Sequence, residues 1–260
     1  MEAEAKAGSQ QEGLTPRQSF WLTAMALFGL ALILRLLFIG QSQRLADFRT
    51  PTPGLDICVQ WEGAKQIRQG GPEPIFELML PSAPFHVHFV ALCQTILGER
   101  MALHRVARAV LGSFSVVLIF LITYRLSRNR VVSCVAAILV ATLPSWIYFD
   151  TVLIKASIDI LMLTAGFWLV LLETRHWPAW KALSLGIGLG VLFSILRFSQ
   201  GASALYVLAF AVYLLAHREG GPFRRRLLVV LPMVILVLGS QMAFKYRDVL
   251  FGIPKRHFLP

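Results

Sequence analysis

The stretch LHRVARAVLGSFSVVLIFLITY (residues 103–124), then RLSRNR (125–130), then VVSCVAAILVATLPSWIYF (131–149), decides the fold. Two apolar blocks of about twenty residues flank a six-residue turn that holds three arginines. A helix needs about 20 apolar residues to cross a bilayer, and cations in a short turn between two such helices mark a cytoplasmic loop. The pattern predicts a helical hairpin in a membrane.

Other apolar blocks run at 20–40, 83–97, 152–172, 179–196, 199–216 and 227–244. Composition agrees, with 56% of the 260 residues hydrophobic and only 15% charged, where a soluble chain is nearer 25% charged. The predicted class is an all-α membrane protein of about seven transmembrane helices. Block 83–97 is too short to span and holds His86, His88 and Gln94, so it is read as an interfacial helix. Block 20–40 is too long for a signal-peptide core and is read as a retained anchor.

Charge sets the topology. The loops at 125–130, around Arg175 and Lys181, and at 217–226 hold nine cations, whereas the alternate loops hold only Lys155 and Arg197. With 83–97 kept out of the count, this places the N-terminus in the cytoplasm of a multi-pass inner-membrane protein. If 83–97 spans, the N-terminus is outside or the rule is broken. The preferred division is a disordered cytoplasmic tail 1–19, a transmembrane module 20–244 with an external loop 41–102, and an external tail 245–260. Within that loop Ile57, Trp61, Ala64 and Ile67 recur at helical spacing between Gly/Pro breakers, which predicts a short amphipathic helix at 57–69.

The net charge of +11 sits mostly in these topology-setting loops, so nucleic acid is excluded as a partner, and lipid phosphates are the natural contact for the cations. Cys58, Cys93 and Cys134 form no CxxC pair. A Cys58–Cys93 disulfide outside the membrane stays open beside three buried thiols. Gly186, Gly188 and Gly190 lie inside an apolar block with no preceding strand, which points to close helix packing rather than to a dinucleotide loop. No P-loop, serine triad or HExxH motif occurs.

Ionisable residues at membrane depth are functional candidates because they are costly there. On this topology Asp47, Asp56, Asp150, Lys155, Asp159 and Arg197 gather at the outer face, which suits a phosphorylated or polar substrate. Each has a plainer reading beside it. Asp56 caps the 57–69 helix, and Asp150 caps a helix starting near Thr151. Lys155 and Arg197 snorkel to headgroups. Lys155 and Asp159, four apart, neutralise each other. Arg35 snorkels or faces the bundle. His86 and His88, two apart, do not share a helix face and make a poor metal pair.

Four stretches, taken in order, resemble a family. They are Gly54-Leu55-Asp56 with Trp61, Ala64, Ile67 and Gly70-Gly71; Ala83-Pro84-Phe85-His86-Val87-His88 through Leu97-Gly98; Arg105-Val106-Ala107-Arg108 through Leu111-Gly112 to Tyr124-Arg125-Leu126; and Tyr148-Phe149-Asp150 through Lys155-Ala156-Ser157, then Leu196-Arg197. The set looks like the bacterial relatives of protein O-mannosyltransferases and of the lipid A aminoarabinose transferase, which are integral-membrane glycosyltransferases of the GT-C fold.

The resemblance implies inverting transfer of a sugar from a polyprenyl-phosphate carrier to a glycan, lipid or protein acceptor at the outer face. Asp56 in the external loop is then the general base and Asp150 a second catalytic acid. Lys155, Arg197, His86 and His88 surround the substrate. No cofactor is named by the sequence, and a divalent metal stays open. The chain departs from its relatives at Ala156, where they carry Glu, and at Arg197-Phe198-Ser199, where they carry Arg-Pro-Asn. It also ends soon after the seventh block. The second expectation is therefore a truncated, non-catalytic relative serving as a helical subunit of another membrane protein.

Overall fold

The computed structural model describes residues 15–45, 48, 56–70, 84–152, 155–172, 177–199, 203–216 and 222–245. The two tails, Asp47, and the side chains of Asp56 and Arg197 lie outside these described residues. All regular structure described is helical: α1 (Pro16–Ser42), α2 (Asp56–Arg68), α3 (Pro84–Leu97), α4 (Met101–Ser127), α5 (Arg130–Thr142), α6 (Pro144–Thr151), α7 (Ala156–Val170), α8 (Ala179–Ser199), α9 (Ser203–Ala216) and α10 (Phe223–Lys245).

Helix α1 starts on a capping box. The Thr15 hydroxyl accepts from the Gln18 amide at 3.3 Å, and the Gln18 side chain accepts from the Thr15 amide at 2.8 Å, so two amide donors at the helix start are satisfied. Its inner face (Ala24, Leu27, Ala31) packs with Val116 and Phe120 of α4 and with Ala137 and Ala141 of α5. Small residues at this seam let the backbones approach, which is the main source of helix association in lipid.

The α4–α5 turn closes on Arg128 in the left-handed region (φ 53) and on Asn129, whose side chain accepts from the amides of Val131 and Val132. Arg130 donates to the Ser19 carbonyl and to the Ser19 and Thr23 hydroxyls. The start of α1 and the arginine turn therefore lie at one end of the bundle.

The block 131–149 does not run straight. Leu143 is extended (ψ 118) because the following Pro144 disfavours helical backbone before it, and α5 and α6 meet at a 60° bend. Helices α1, α4, α8 and α10 are long and apolar enough to cross a membrane, and the α5–α6 pair adds a fifth crossing if the bent pair is one span. Helices α7 and α9 are equally apolar but only 15 and 14 residues long. At 1.5 Å per residue each covers about 22 Å, less than the roughly 30 Å of hydrocarbon. The expected count of seven thus shrinks to four or five by length among the described residues. Lipid must cover the exposed apolar rows, such as Leu22, Met25, Ile33 and Leu37 on α1.

A second core joins α7, α8, α9 and α10 through Leu189, Phe193, Phe210, Met233 and Val237. Gly186 and Gly190 make it close. A Cβ at Gly186 would press on the Val229 carbonyl, and one at Gly190 would lie 2.9 Å from Leu236 Cβ. Gly188, on another face, meets nothing within 4 Å. Close packing is therefore the role of two of the three glycines.

The expected helices at 57–69 and 83–97 are α2 and α3. They pack together through Ile57, Trp61, Ala64, Val87 and Val90. The Gln94 amide donates to the Trp61 carbonyl at 3.2 Å. Glu99, past the end of α3, pairs with Arg68 at 3.1 Å and Lys65 at 3.8 Å. Cys58 and Cys93 sit on these two helices as free thiols, and Cys134 is also free.

Candidate functional site

The connectivity brings six segments to the end opposite the arginine turn. These are the last two turns of α1, the first turn of α3, the first two turns of α4, the last turn of α6, the α6–α7 turn and the first turn of α7. Each delivers an ionisable residue: Arg35, His86, Arg105 with Arg108, Asp150, Lys155 and Asp159. All are buried except Lys155, which is half-buried.

Arg35 and Asp150 form an ion pair with both side chains at 0% exposure. Arg35 Nε and Nη2 donate to the same carboxylate oxygen, Oδ2, at 2.9 and 2.5 Å, and Nη1 donates to the Ala31 carbonyl at 3.0 Å. The other oxygen, Oδ1, is buried without a hydrogen-bond partner. Gly112 of α4 makes the space, since a Cβ there would overlap the Asp150 carboxyl. Asp150 therefore does not cap a helix from Thr151. It ends α6, and the next helix begins at Ala156.

Arg108 fans across three neighbours. Nη2 meets His86 Nε2 at 2.6 Å, and Nη1 donates to the Ser157 hydroxyl at 3.3 Å and to the Val152 carbonyl at 3.4 Å. Arginine only donates, so His86 Nε2 accepts and its proton sits on Nδ1. That Nδ1 is buried with no partner. Burial first, then the Arg108 and Lys155 charges, holds the His86 imidazole well below its usual range, so the ring is neutral.

Arg105, one turn before Arg108, is nearly fully buried at 1% exposure. Its guanidinium lies 4.0 Å over the Phe48 ring, and Nη2 reaches the Met101 sulfur at 3.5 Å. Among the described residues Nε and Nη1 have no hydrogen-bond partner. Phe38 joins the surround, 6.1 Å from Phe48 and 6.4 Å from Tyr148. A buried guanidinium with two unmet donors is costly, and an anion is the chemistry that would satisfy it.

Of the residues singled out from sequence, His86, Asp150, Lys155 and Asp159 come together here. His88 is on the exposed side of α3. Asp56 is the first residue of α2 and Arg197 lies in α8. Arg35, Arg105, Arg108 and Gly112 were not expected as site residues. The available signal was an arginine inside or at the head of an apolar span. Among the described residues no group of three His, Cys, Asp or Glu is placed to hold a metal ion. On the other, outward face of α1 a shallow cavity of about 430 Å³ is lined by Ile33, Leu36, Leu37, Gly40, Gln41 and Arg44.

Residues 81–254 match the family described as dolichyl-phosphate-mannose-protein mannosyltransferase. The match takes in α3 to α10, and with them His86, Arg105, Arg108, Asp150, Lys155 and Arg197. Arg35 and Asp56 precede it. No curated protein and no solved structure matches the chain.

Proposed function

The chain belongs to the dolichyl-phosphate-mannose-protein mannosyltransferase family, a membrane glycosyltransferase family of the GT-C type, and on that premise we propose that it moves a sugar from a polyprenyl-phosphate carrier to an acceptor hydroxyl at the outer face of a cell membrane. The observation that carries this reading is the buried, unmet guanidinium of Arg105 beside Arg108. Two guanidinium groups one helical turn apart, with the Lys155 ammonium at the head of α7, suit a lipid-linked phosphate. The exposed apolar surface of α1, lined by Ile33, Leu36, Leu37 and Gly40, would carry the acyl or prenyl chain in the lipid.

In this reading Asp56, at the head of α2, takes the proton from the acceptor hydroxyl. The oxygen attacks the anomeric carbon from the side opposite the phosphate. The bond from that carbon to the phosphate oxygen breaks, and the anomeric configuration inverts. Arg105, Arg108, Lys155 and Arg197 offset the charge that grows on the departing phosphate. The N-terminus and the arginine turn face the cytoplasm.

The test is transfer from a polyprenyl-phosphate mannose donor to a peptide or lipid acceptor by the purified chain in liposomes. Asp56→Asn should lower the rate about 10²–10⁴-fold without loss of folded protein. Arg105→Met should weaken binding of polyprenyl monophosphate at least tenfold. Full activity in Asp56→Asn would remove the base assignment. Unchanged lipid-phosphate binding in Arg105→Met would remove the phosphate site.

A second reading, a non-catalytic helical subunit, is favoured by Ala156 at the start of α7, where relatives carry an acid. It requires a stoichiometric membrane partner on purification and no sugar turnover.

A further inference from the structure

The geometry assigns the Arg35–Asp150 pair, seated on Gly112, the role of a strut that positions the phosphate-binding groups, with Asp150 acting through Arg108 and Lys155 rather than on substrate. This rests on the phosphate site proposed above and says what holds it in shape.

Three observations converge. First, Asp150 is already committed to protein groups. It is 0% exposed, one oxygen takes both Arg35 donors, and the carboxyl fills the space left by the missing Gly112 side chain. Secondly, its position in the chain is decisive. Two residues on, the Val152 carbonyl accepts from Arg108 Nη1, and seven residues on, the Ser157 hydroxyl accepts from the same nitrogen. Lys155 lies between them. The end of α6 is therefore held by α1, and Val152 and the start of α7 on either side of Lys155 are held by α4. Thirdly, Arg35 spends its remaining donor, Nη1, on the Ala31 carbonyl of its own helix, so it is a fixed post rather than a mobile cation.

The wedge at Gly112 also explains why the charge has to be an aspartate. Any longer acid would push α6 away from α4. In a medium with no water to solvate either partner, each charge is tolerable only because of the other.

A double-mutant cycle in the full chain decides this. Leu matches the branched shape of Asp, and Met matches the length of the arginine stem. Asp150→Leu and Arg35→Met are each expected to lower the Tm of the detergent-solubilised protein by about 10 °C. Each should also weaken binding of polyprenyl monophosphate at least tenfold. The double variant Arg35→Met/Asp150→Leu is expected to regain the Tm to within a few degrees, and lipid-phosphate binding and sugar transfer to within about threefold. Gly112→Ala should mimic the single variants.

A double variant that is stable and binds lipid phosphate yet transfers no sugar would show Asp150 acting on substrate and overturn the strut. A double variant as unstable as the singles would overturn the pair as a unit. If the unmodified chain binds no polyprenyl monophosphate, the phosphate reading fails and the positioning role falls with it. The Tm cycle would then still report whether the pair couples α1 to α6.

Discussion

The half of the bundle built on α1, α4, α6 and α7 and the half built on α8, α9 and α10 use the same apolar vocabulary for opposite ends. Among the described residues every buried polar or charged side chain lies at or before Thr164, from Arg35 through Arg105, Arg108, Asp150 and Asp159. The later core is Leu189, Phe193, Phe210, Met233 and Val237, closed by glycines. Lipid is as apolar as leucine, so burying leucine in a membrane gains little, and tight packing has to hold the second half together. The first half accepts buried charge, which costs stability, and this is the mark of a site rather than of a wall. On the proposed function, one half holds the chemistry and the other gives it a firm back.

The sharpest way to break this contrast is Arg108→Met, expected to lower sugar transfer about 10²–10³-fold in a liposome assay. Gly190→Leu should do the reverse. It clashes with Leu236 and Met233 and should cost about 1–3 kcal/mol in a detergent or urea unfolding titration, while transfer per folded molecule stays near wild type. If transfer falls as far as in Arg108→Met, the two halves are not functionally distinct.

A smaller effect comes from pH. The folded-state pKa of His86 is depressed, with burial as the main cause, so below about pH 6.5 the unfolded chain binds a proton that the folded chain refuses. Stability therefore holds above that pH and declines as the pH falls below it, by at most about 1.4 kcal/mol per unit from this one group. A Tm series from pH 7.5 to 5.5 should slope more steeply for the natural chain than for His86→Gln, and equal slopes would sink the assignment. The smallest change is Asn129→Ala, which removes the α5 cap at the far end of the bundle. It should cost about 1 kcal/mol and leave transfer untouched.

The helices were legible because hydropathy reports length directly. The interfacial pair at 57–69 and 83–97 appears as Asp56–Arg68 and Pro84–Leu97, and block length kept the second from being read as a span. The bend within 131–149 is not legible in the sequence despite Pro144, because uniformly apolar residues on both sides hide a change of axis. The site was legible only in part. Asp150 and Lys155 were marked because acids and cations near a span end are rare. Arg35 reads from sequence as a snorkelling or bundle-facing cation, and Arg105 and Arg108 stand out only as part of the family-like stretch. Only the packing of α1 against α6 and of α3 against α4 turns those side chains inward. Gly112 stands in the family-like stretch, but its role is not legible there, since it is defined by a carboxylate 38 positions later that fills its missing side chain.

The distance between Arg35 and Asp150 along the chain, 115 residues, also has a meaning during synthesis. At about 5–20 residues per second the carboxylate emerges roughly 6–23 s after the guanidinium. In that interval α1 is a nascent membrane helix with a lone cation two turns from its end, where the charge can still reach the headgroup region. When α6 arrives, the arginine is drawn inward and the two helices lock. The order of translation thus delivers the post before the beam.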